Sequence, residues 1–329
     1  MGEQRDSLLF TPPVSRVFLG VARMLPPLPN FAPWPDLDWE QWKDTAETLH
    51  MFTQIVGKTR IALTPLQNHW WNAPLYLTAR GLWTSPMPTP DGEMLEIEFD
   101  FLAHQVVCRI SRGDTQIIEL AAKPVCDFYR EFNQALHSLG LRVPINPMPV
   151  EVANPIRCDV DTVHCSYDPA AAHRFWRTLV IADTLLKRFS TSFYGKISPV
   201  HFFWGSFDLA VTRFNGKTAP PRPNADRIQA EAYSHEVISA GFWPGNGGYG
   251  RAAFYAYAAP VPEGLAGVQL KGSGAFNPAM GEFLLDYADA QKSKDPERTV
   301  LEFLQKTYAA AADTAKWDRA SLDRKIDVL

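Results

Sequence analysis

The densest set of side chains capable of chemistry lies in the second half of the chain: His201, Asp208 and Arg213, then Glu231, Tyr233, His235 and Glu236. Two imidazoles and a carboxylate can hold zinc or iron(II) with open positions, and a neutral imidazole beside a carboxylate can equally act as a general base. Read as strands, the period of two puts Glu231, Tyr233 and His235 on one face and Glu236 on the other. It also puts His201 and Arg213 on a face opposite Asp208. Facing strands would then join His201, Glu231 and His235. Read as a helix, Glu231 and His235 lie four apart on one side, so either conformation keeps that pair together. On the catalytic reading His235 is base or ligand, Glu231 or Glu236 orients it and His201 is its partner. Arg213 then holds an anionic group, with Asp208, Tyr233 and Trp204 completing the binding surface. A buried histidine bonded to a carboxylate to satisfy core polarity gives the same pattern without any reaction. Whether a metal or other cofactor is bound is unknown from these residues.

The first half offers a different set: His69, Trp70, Trp71 and Arg80, with His50, Lys58 and Arg60 on the preceding helix. Arg60 and Arg80 could hold a carboxylate or phosphate through paired contacts against a tryptophan wall. A tryptophan-rich core under snorkelling cations is the plainer alternative. Three other motifs point away from familiar chemistry. Gly245, Gly247 and Gly250 spell G-x-G-x-x-G, but a strand-like run, Ala252 to Ala259, follows where a dinucleotide site needs a helix; a hairpin loop or lid is expected. His164 and Cys165 are sequence neighbours and would point to opposite sides of a strand. Ser206 lacks the nucleophile-elbow glycines.

The elements that must position these residues form a repeated order. Asp38 caps a helix to about Ile61, with Trp39, Trp42, Ala46, Leu49, Phe52 and Val56 at helical spacing. Strands follow at Leu75–Arg80, Leu95–Phe101, Gln105–Ser111 and Thr115–Leu120, the last two flanking the turn Arg112-Gly113-Asp114. A helix from Val125 to Leu139 ends at Gly140. Asp168 then caps a second long helix to about Ser190. Strands are expected from His201 through Arg213, at Glu231–Phe242, Ala252–Ala259 and Glu282–Tyr287, before a last helix from Pro296 to about Leu322. The fold class is α+β: two similar helix-strands-helix units with mainly antiparallel sheets, and an internal duplication is suggested. The expected boundaries are an N-terminal extension over 1–33, a first unit over 34–145, a linker over 146–167 and a second unit over 168–329.

Composition narrows the function classes. The 329 residues carry 32 basic and 36 acidic side chains, a net charge of −4, with no basic block, so no nucleic-acid partner is expected. The runs Leu8–Phe10 and Val17–Ala22 are too short to span a membrane, and no secretory signal is convincing, so no membrane partner is expected. Four cysteines without paired spacing suit a reducing cytoplasm. Aromatic residues make up 12% of the chain, enough to line a pocket for a small-molecule ligand.

Several long segments carry a resemblance: Thr48-Leu49-His50-Met51-Phe52-Thr53-Gln54-Ile55-Val56-Gly57-Lys58, Asn68-His69-Trp70-Trp71, Ser198-Pro199-Val200-His201-Phe202-Phe203-Trp204-Gly205-Ser206-Phe207-Asp208 and Glu231-Ala232-Tyr233-Ser234-His235-Glu236. Over roughly Trp34 to Leu322 the chain resembles a bacterial family designated domain of unknown function 5996. That resemblance implies no activity, cofactor or catalytic residue. The expectation from the residues is an enzyme acting on a small organic molecule through a His/carboxylate site. A non-catalytic binder with an aromatic-lined cleft and an interaction or scaffold protein are the alternatives.

Overall fold

Asp38 opens the first helix: its carboxylate accepts the backbone N–H of Glu40 at 3.2 Å, and α1 (Trp39–Leu63) follows. The helix is buried on nearly every side, apolar at Leu49, Phe52 and Ile55 and polar at Thr48, His50 and Gln54. Burial all round marks a central post and not a surface helix with one wet face. In this computed structural model residues 25–326 and 328 are described. The N-terminal apolar runs lie outside the described residues, and residues 25–38 form neither helix nor strand.

The first sheet has six antiparallel strands: β1 (Tyr76–Leu77), β2 (Gly81–Trp83), β3 (Met87–Pro88), β4 (Met94–Asp100), β5 (Gln105–Ile110) and β6 (Thr115–Glu119). Their order is β1-β2-β4-β5-β6, with β3 paired to β4. The strand expected from Leu75 to Arg80 is cut to two residues because Thr78 turns the chain. Its hydroxyl accepts the N–H groups of Arg80 and Gly81 at 3.1 and 2.9 Å. The Arg112-Gly113-Asp114 turn joins β5 to β6 as expected, with Gly113 at φ 107°. α2 (Val125–Ser138) packs on β6 and α1.

Asp168 caps the next helix in the same way, accepting the Ala170 N–H at 2.8 Å, and Pro169 takes the first turn of α3 (Pro169–Ser190). The second sheet comprises β7 (His201–Phe203), β8 (Asp208–Thr218), β9 (His235–Trp243), β10 (Ala253–Ala259), β11 (Ala275–Asn277) and β12 (Glu282–Asp286). It too is antiparallel, in the order β11-β12-β10-β9-β8-β7. A short helix, α4 (Arg227–Ala232), stands between β8 and β9, and α5 (Tyr287–Lys292), α6 (Pro296–Thr314) and α7 (Arg319–Leu322) close the chain. The final helix is broken where Lys316 adopts φ 54°, short of the single helix expected to Leu322. The chain is therefore α+β with antiparallel sheets.

α3 and α6 cover one face of the second sheet, burying Leu209, Val211, Phe242 and Phe254. The edges of the two sheets are stitched by Leu75 and Phe202, which exchange two backbone hydrogen bonds of 2.9 Å. Trp204 reinforces this seam. Its indole lies where a Cβ on Gly57 of α1 would be 2.3 Å away, and its Nε1–H donates to the Ala73 carbonyl at 2.9 Å. Residues Phe31–Leu329, with both sheets, form one compact unit.

Two local readings are corrected. His201 pairs with Ala210 and Phe203 with Asp208, so His201 shares the face of Asp208 and not that of Arg213. The cause is the turn at 204–207, with Phe207 at φ 62°, which breaks the alternation counted straight through it. Glu231 belongs to α4 while His235 begins β9, so the stretch is neither one strand nor one helix. Asp226 caps α4 by accepting the Gln229 N–H at 2.7 Å, a local signal that outweighs the alternating pattern.

Candidate functional site

The face of the second sheet turned away from α3 and α6 carries a row of polar and aromatic side chains. Pairing puts Asp208 and Ala210 of β8, Gly241 and Trp243 of β9, Tyr255 and Tyr257 of β10, and Leu284 of β12 on it. Gly241 decides how this row is built. A Cβ there would lie 2.4 Å from the phenol oxygen of Tyr255, so the missing side chain lets Tyr255 lie across β9. Its hydroxyl then donates to Asp208 Oδ2, and Ser206 Oγ donates to Oδ1 at 2.5 Å.

A cavity of about 630 Å³ opens over this face. Its floor holds Asp208, Tyr255, Tyr257 and Glu282, and its walls include Glu151, Tyr233, Trp243 and the proline-rich segment Ala219–Pro223. The Tyr233 and Tyr257 hydroxyls meet at 2.9 Å, and the Arg222 guanidinium stacks over Tyr233 at 4.2 Å. Asn246, in the loop between β9 and β10, accepts from Trp243 Nε1 and donates to the Ser206 carbonyl at 2.8 Å. That loop contains the G-x-G-x-x-G glycines, all at positive φ, and it is a hairpin connection with no helix behind it.

Three carboxylates share the cavity, and none is ion-paired with Lys or Arg among the described residues. Burial pushes Asp208 up to about 6, against the opposing pull of its Ser206 and Tyr255 hydrogen bonds. Burial and the nearby Asp208 charge push Glu282 up to about 7, and the same causes, with Asp226, raise Glu151. Asp208 and Glu282, raised in this way, can both take and give protons near neutrality.

Of the residues singled out from sequence, Asp208 and Tyr233 lie in this cavity. His235, Glu231 and His69 meet elsewhere, in a second surface pocket with Lys196 and Arg227. There Glu231 reaches His69 through its backbone carbonyl, at 3.2 Å from Nδ1. His201 is buried at 1% exposure among Trp71, Tyr76 and Phe203, with neither ring nitrogen hydrogen-bonded. Desolvation, helped by the Arg60 charge, pushes its imidazole down to about 3, so it is neutral. The grouping of His201 with Glu231 and His235 is not assembled. Among the described residues no group of three His, Cys, Asp or Glu is disposed to hold a metal ion.

Arg213 is fully buried on the helix-covered side, its guanidinium 3.6 Å from the Phe189 ring centre and 4.2 Å from that of Tyr308. It donates to the Phe189 carbonyl at 2.6 Å and to Ser192 Oγ at 3.0 Å, so it braces the core away from the cavity. Glu236 accepts from Asn215, beside the irregular pairing of β8 with β9. Trp204 is the strut described above. Trp70 lies under Arg227, Trp71 under Lys196, and Arg80 pairs with Asp100 at 2.6 Å.

Glu151, Tyr255, Tyr257, Glu282, Trp243 and Asn246 line the cavity without being marked as site residues by the sequence, which gives Tyr255, Tyr257 and Glu282 only as strand positions. Tyr255 and Tyr257 at a spacing of two, with Glu282 opening the strand paired to theirs, were the available signal. The 48–58 segment acts as a fastening. His50 Nε2 lies 2.9 Å from the Gly205 carbonyl, Gln54 bonds Val150 through both its amide atoms, and Lys58 donates to the Asn146 and Met148 carbonyls. No helix among the described residues is long and apolar enough to cross a membrane.

No curated protein and no solved structure matches the chain. A family model does match it, over residues 34–324, spanning α1, both sheets and the cavity, and the chain therefore belongs to the family of unknown function DUF5996.

Proposed function

We propose that this protein binds a small organic molecule bearing a cationic nitrogen in the cavity over the second sheet, and that Asp208 and Glu282 exchange a proton with it. The observation that carries the reading is the lining: Glu151, Asp208 and Glu282 gather beneath Tyr233, Tyr255, Tyr257 and Trp243, Arg222 is engaged by the Tyr233 ring, and among the described residues no Lys or Arg is ion-paired with the three carboxylates. Like charges crowded out of water are unfavourable, and a bound cation relieves them while the aromatic faces contribute roughly 0.5–2 kcal/mol. Asp208 and Glu282, raised to about 6 and about 7, suit proton transfer near neutral pH.

Thermal-shift and calorimetric titration with primary, tertiary and quaternary amines, beside neutral alcohols of matching shape, test the reading. Saturable binding of the cations is expected, stabilising the fold by about 2.7 kcal/mol at a ligand concentration a hundred times Kd. Binding should weaken as pH falls below about 6, where Asp208 takes up a proton. Asp208→Asn should weaken it about tenfold or more. Equal binding of the neutral analogues would sink the proposal.

A further inference from the structure

A second pocket of about 630 Å³ lies against α4, lined by Asn68, His69, Lys196, Arg227, Ala230, Glu231, Ser234 and His235. Its construction differs in sign from the tyrosine-lined cavity. Lys196 Nζ stands 2.7 Å from His69 Nε2, and an ammonium can only donate, so Nε2 is the acceptor. The proton of the neutral ring is then on Nδ1, from which it is donated to the Glu231 carbonyl at 3.2 Å. His69 is therefore fixed in one tautomer by two partners. Burial, Lys196 and His235 all hold its imidazole below the ordinary value, in keeping with a neutral ring.

The backbone is also committed. His69 and Trp70 both take left-handed conformations, at φ 58° and 60°, which residues with side chains rarely adopt in succession. What this secures is the placement of a buried ring under Lys196. The ammonium is seated 5.1 Å from the centre of Trp71 and 5.0 Å from that of Phe214, a position that aims a flexible side chain. Arg227 lies over Trp70 at 5.8 Å. Neither cation is ion-paired among the described residues. His235 stands edge-on to His69 at 5.6 Å, and its Nδ1 lies 3.0 Å from Ser234 Oγ, which leaves Nε2 as the ring nitrogen available to a guest. Lys196 and Arg227 supply two positive charges against the one carboxylate of Glu231.

We infer that this pocket is a second binding site, for a phosphate group, held by Lys196 and Arg227 with His235 donating from Nε2 and His69 acting as the positioning residue for Lys196. Tetrahedral phosphate oxygens suit an ammonium, a guanidinium and an imidazole lining one pocket. The cavity has room beyond the phosphate itself, which admits a phosphomonoester as well as the free ion. The site is independent of the cation cavity: it shares no lining residue with it and stands or falls alone.

The experiment is a titration of the full-length, ¹⁵N-labelled protein at neutral pH with inorganic phosphate, glycerol phosphate and acetate, read on the histidine side-chain resonances. Both phosphates should shift His69 and His235 saturably while leaving the distant His137 and His173 unmoved, and the tighter of the two identifies the source. Lys196→Gln should weaken apparent affinity about tenfold, and Arg227→Gln by a smaller factor. Both residues are exposed, so melting temperature should hardly change. Glu231→Gln should strengthen binding by removing the opposing charge. Absence of a saturable shift at His69 and His235, equal shifts with acetate, or affinity unchanged in both cation variants would each overturn the site.

Discussion

Asp100 on the first sheet and Asp208 on the second are both buried aspartates on antiparallel strands, and the protein treats them in opposite ways. Asp100 accepts from Arg80 at 2.6 Å and from the N–H groups of Leu102 and Ala103, each at 2.9 Å. Those contacts overcome burial and hold it below the usual carboxylate value. Asp208 receives the Ser206 and Tyr255 hydroxyls and its own backbone N–H, with no cation among the described residues, and burial still pushes it up to about 6. The first aspartate is completed within the fold, whereas the second is left with charge that a guest can compensate. This difference separates a structural ion pair from a site more clearly than residue type or burial does.

The largest test of that contrast is Gly241→Ala. Its Cβ would fall 2.1 Å from the Leu209 carbonyl and 2.4 Å from the Tyr255 hydroxyl, so Tyr255 must leave Asp208. A loss of about 1–3 kcal/mol in denaturant unfolding is expected, with amine binding lost alongside. A variant that keeps full stability and binding would remove Gly241 from the account.

The second test uses pH. Because Asp208 is raised, the folded state holds a proton that the unfolded chain has released between about pH 4 and 6. Its contribution therefore makes stability fall as pH rises through that window. Asp208→Asn should remove that slope, a change on the order of 1–3 kcal/mol across the window. Asp100, depressed, works the other way. Its stabilisation is present above the unfolded carboxylate value and lost as pH falls through its own lower one, so Asp100→Asn should reduce acid sensitivity. His201, near 3, and His50, near 4, add acid lability below about 6.5, so each variant must be compared with wild type at every pH. Parallel curves for wild type and Asp208→Asn would break the contrast.

The smallest effect belongs to Arg80→Ala. Arg80 is 48% exposed, so solvent screens its ion pair and the pair contributes little despite the short distance. Melting temperature should drop slightly and amine binding should be unaffected. A loss of binding would tie the first sheet to the cavity.

The elements legible in the sequence were those set by nearby residues. Asp38 and Asp168 announced α1 and α3 because a cap acts within three residues, and Gly113 announced its hairpin because only a local turn was needed. The face assignment of His201 failed at the turn 204–207, where no glycine–asparagine pair marked the reversal. The cavity was illegible for another reason. Glu151, Asp208 and Glu282 are brought together by sheet pairing and a long proline-bearing segment, and no spacing along the chain records such a meeting. Residue type alone does not mark a site, since His201 fills an aromatic core.

The seating of Trp204 on Gly57 bears on how the chain can be divided. With Leu75 and Phe202 bonded across the seam and the Ser166 and Asp168 N–H groups bound to Thr48 and Thr45 of α1, a cut within 146–167 would bare two strand edges and an indole. Fragments expressed singly should aggregate, and the same fragments co-expressed should reassemble. The seam is a natural place for a split reporter.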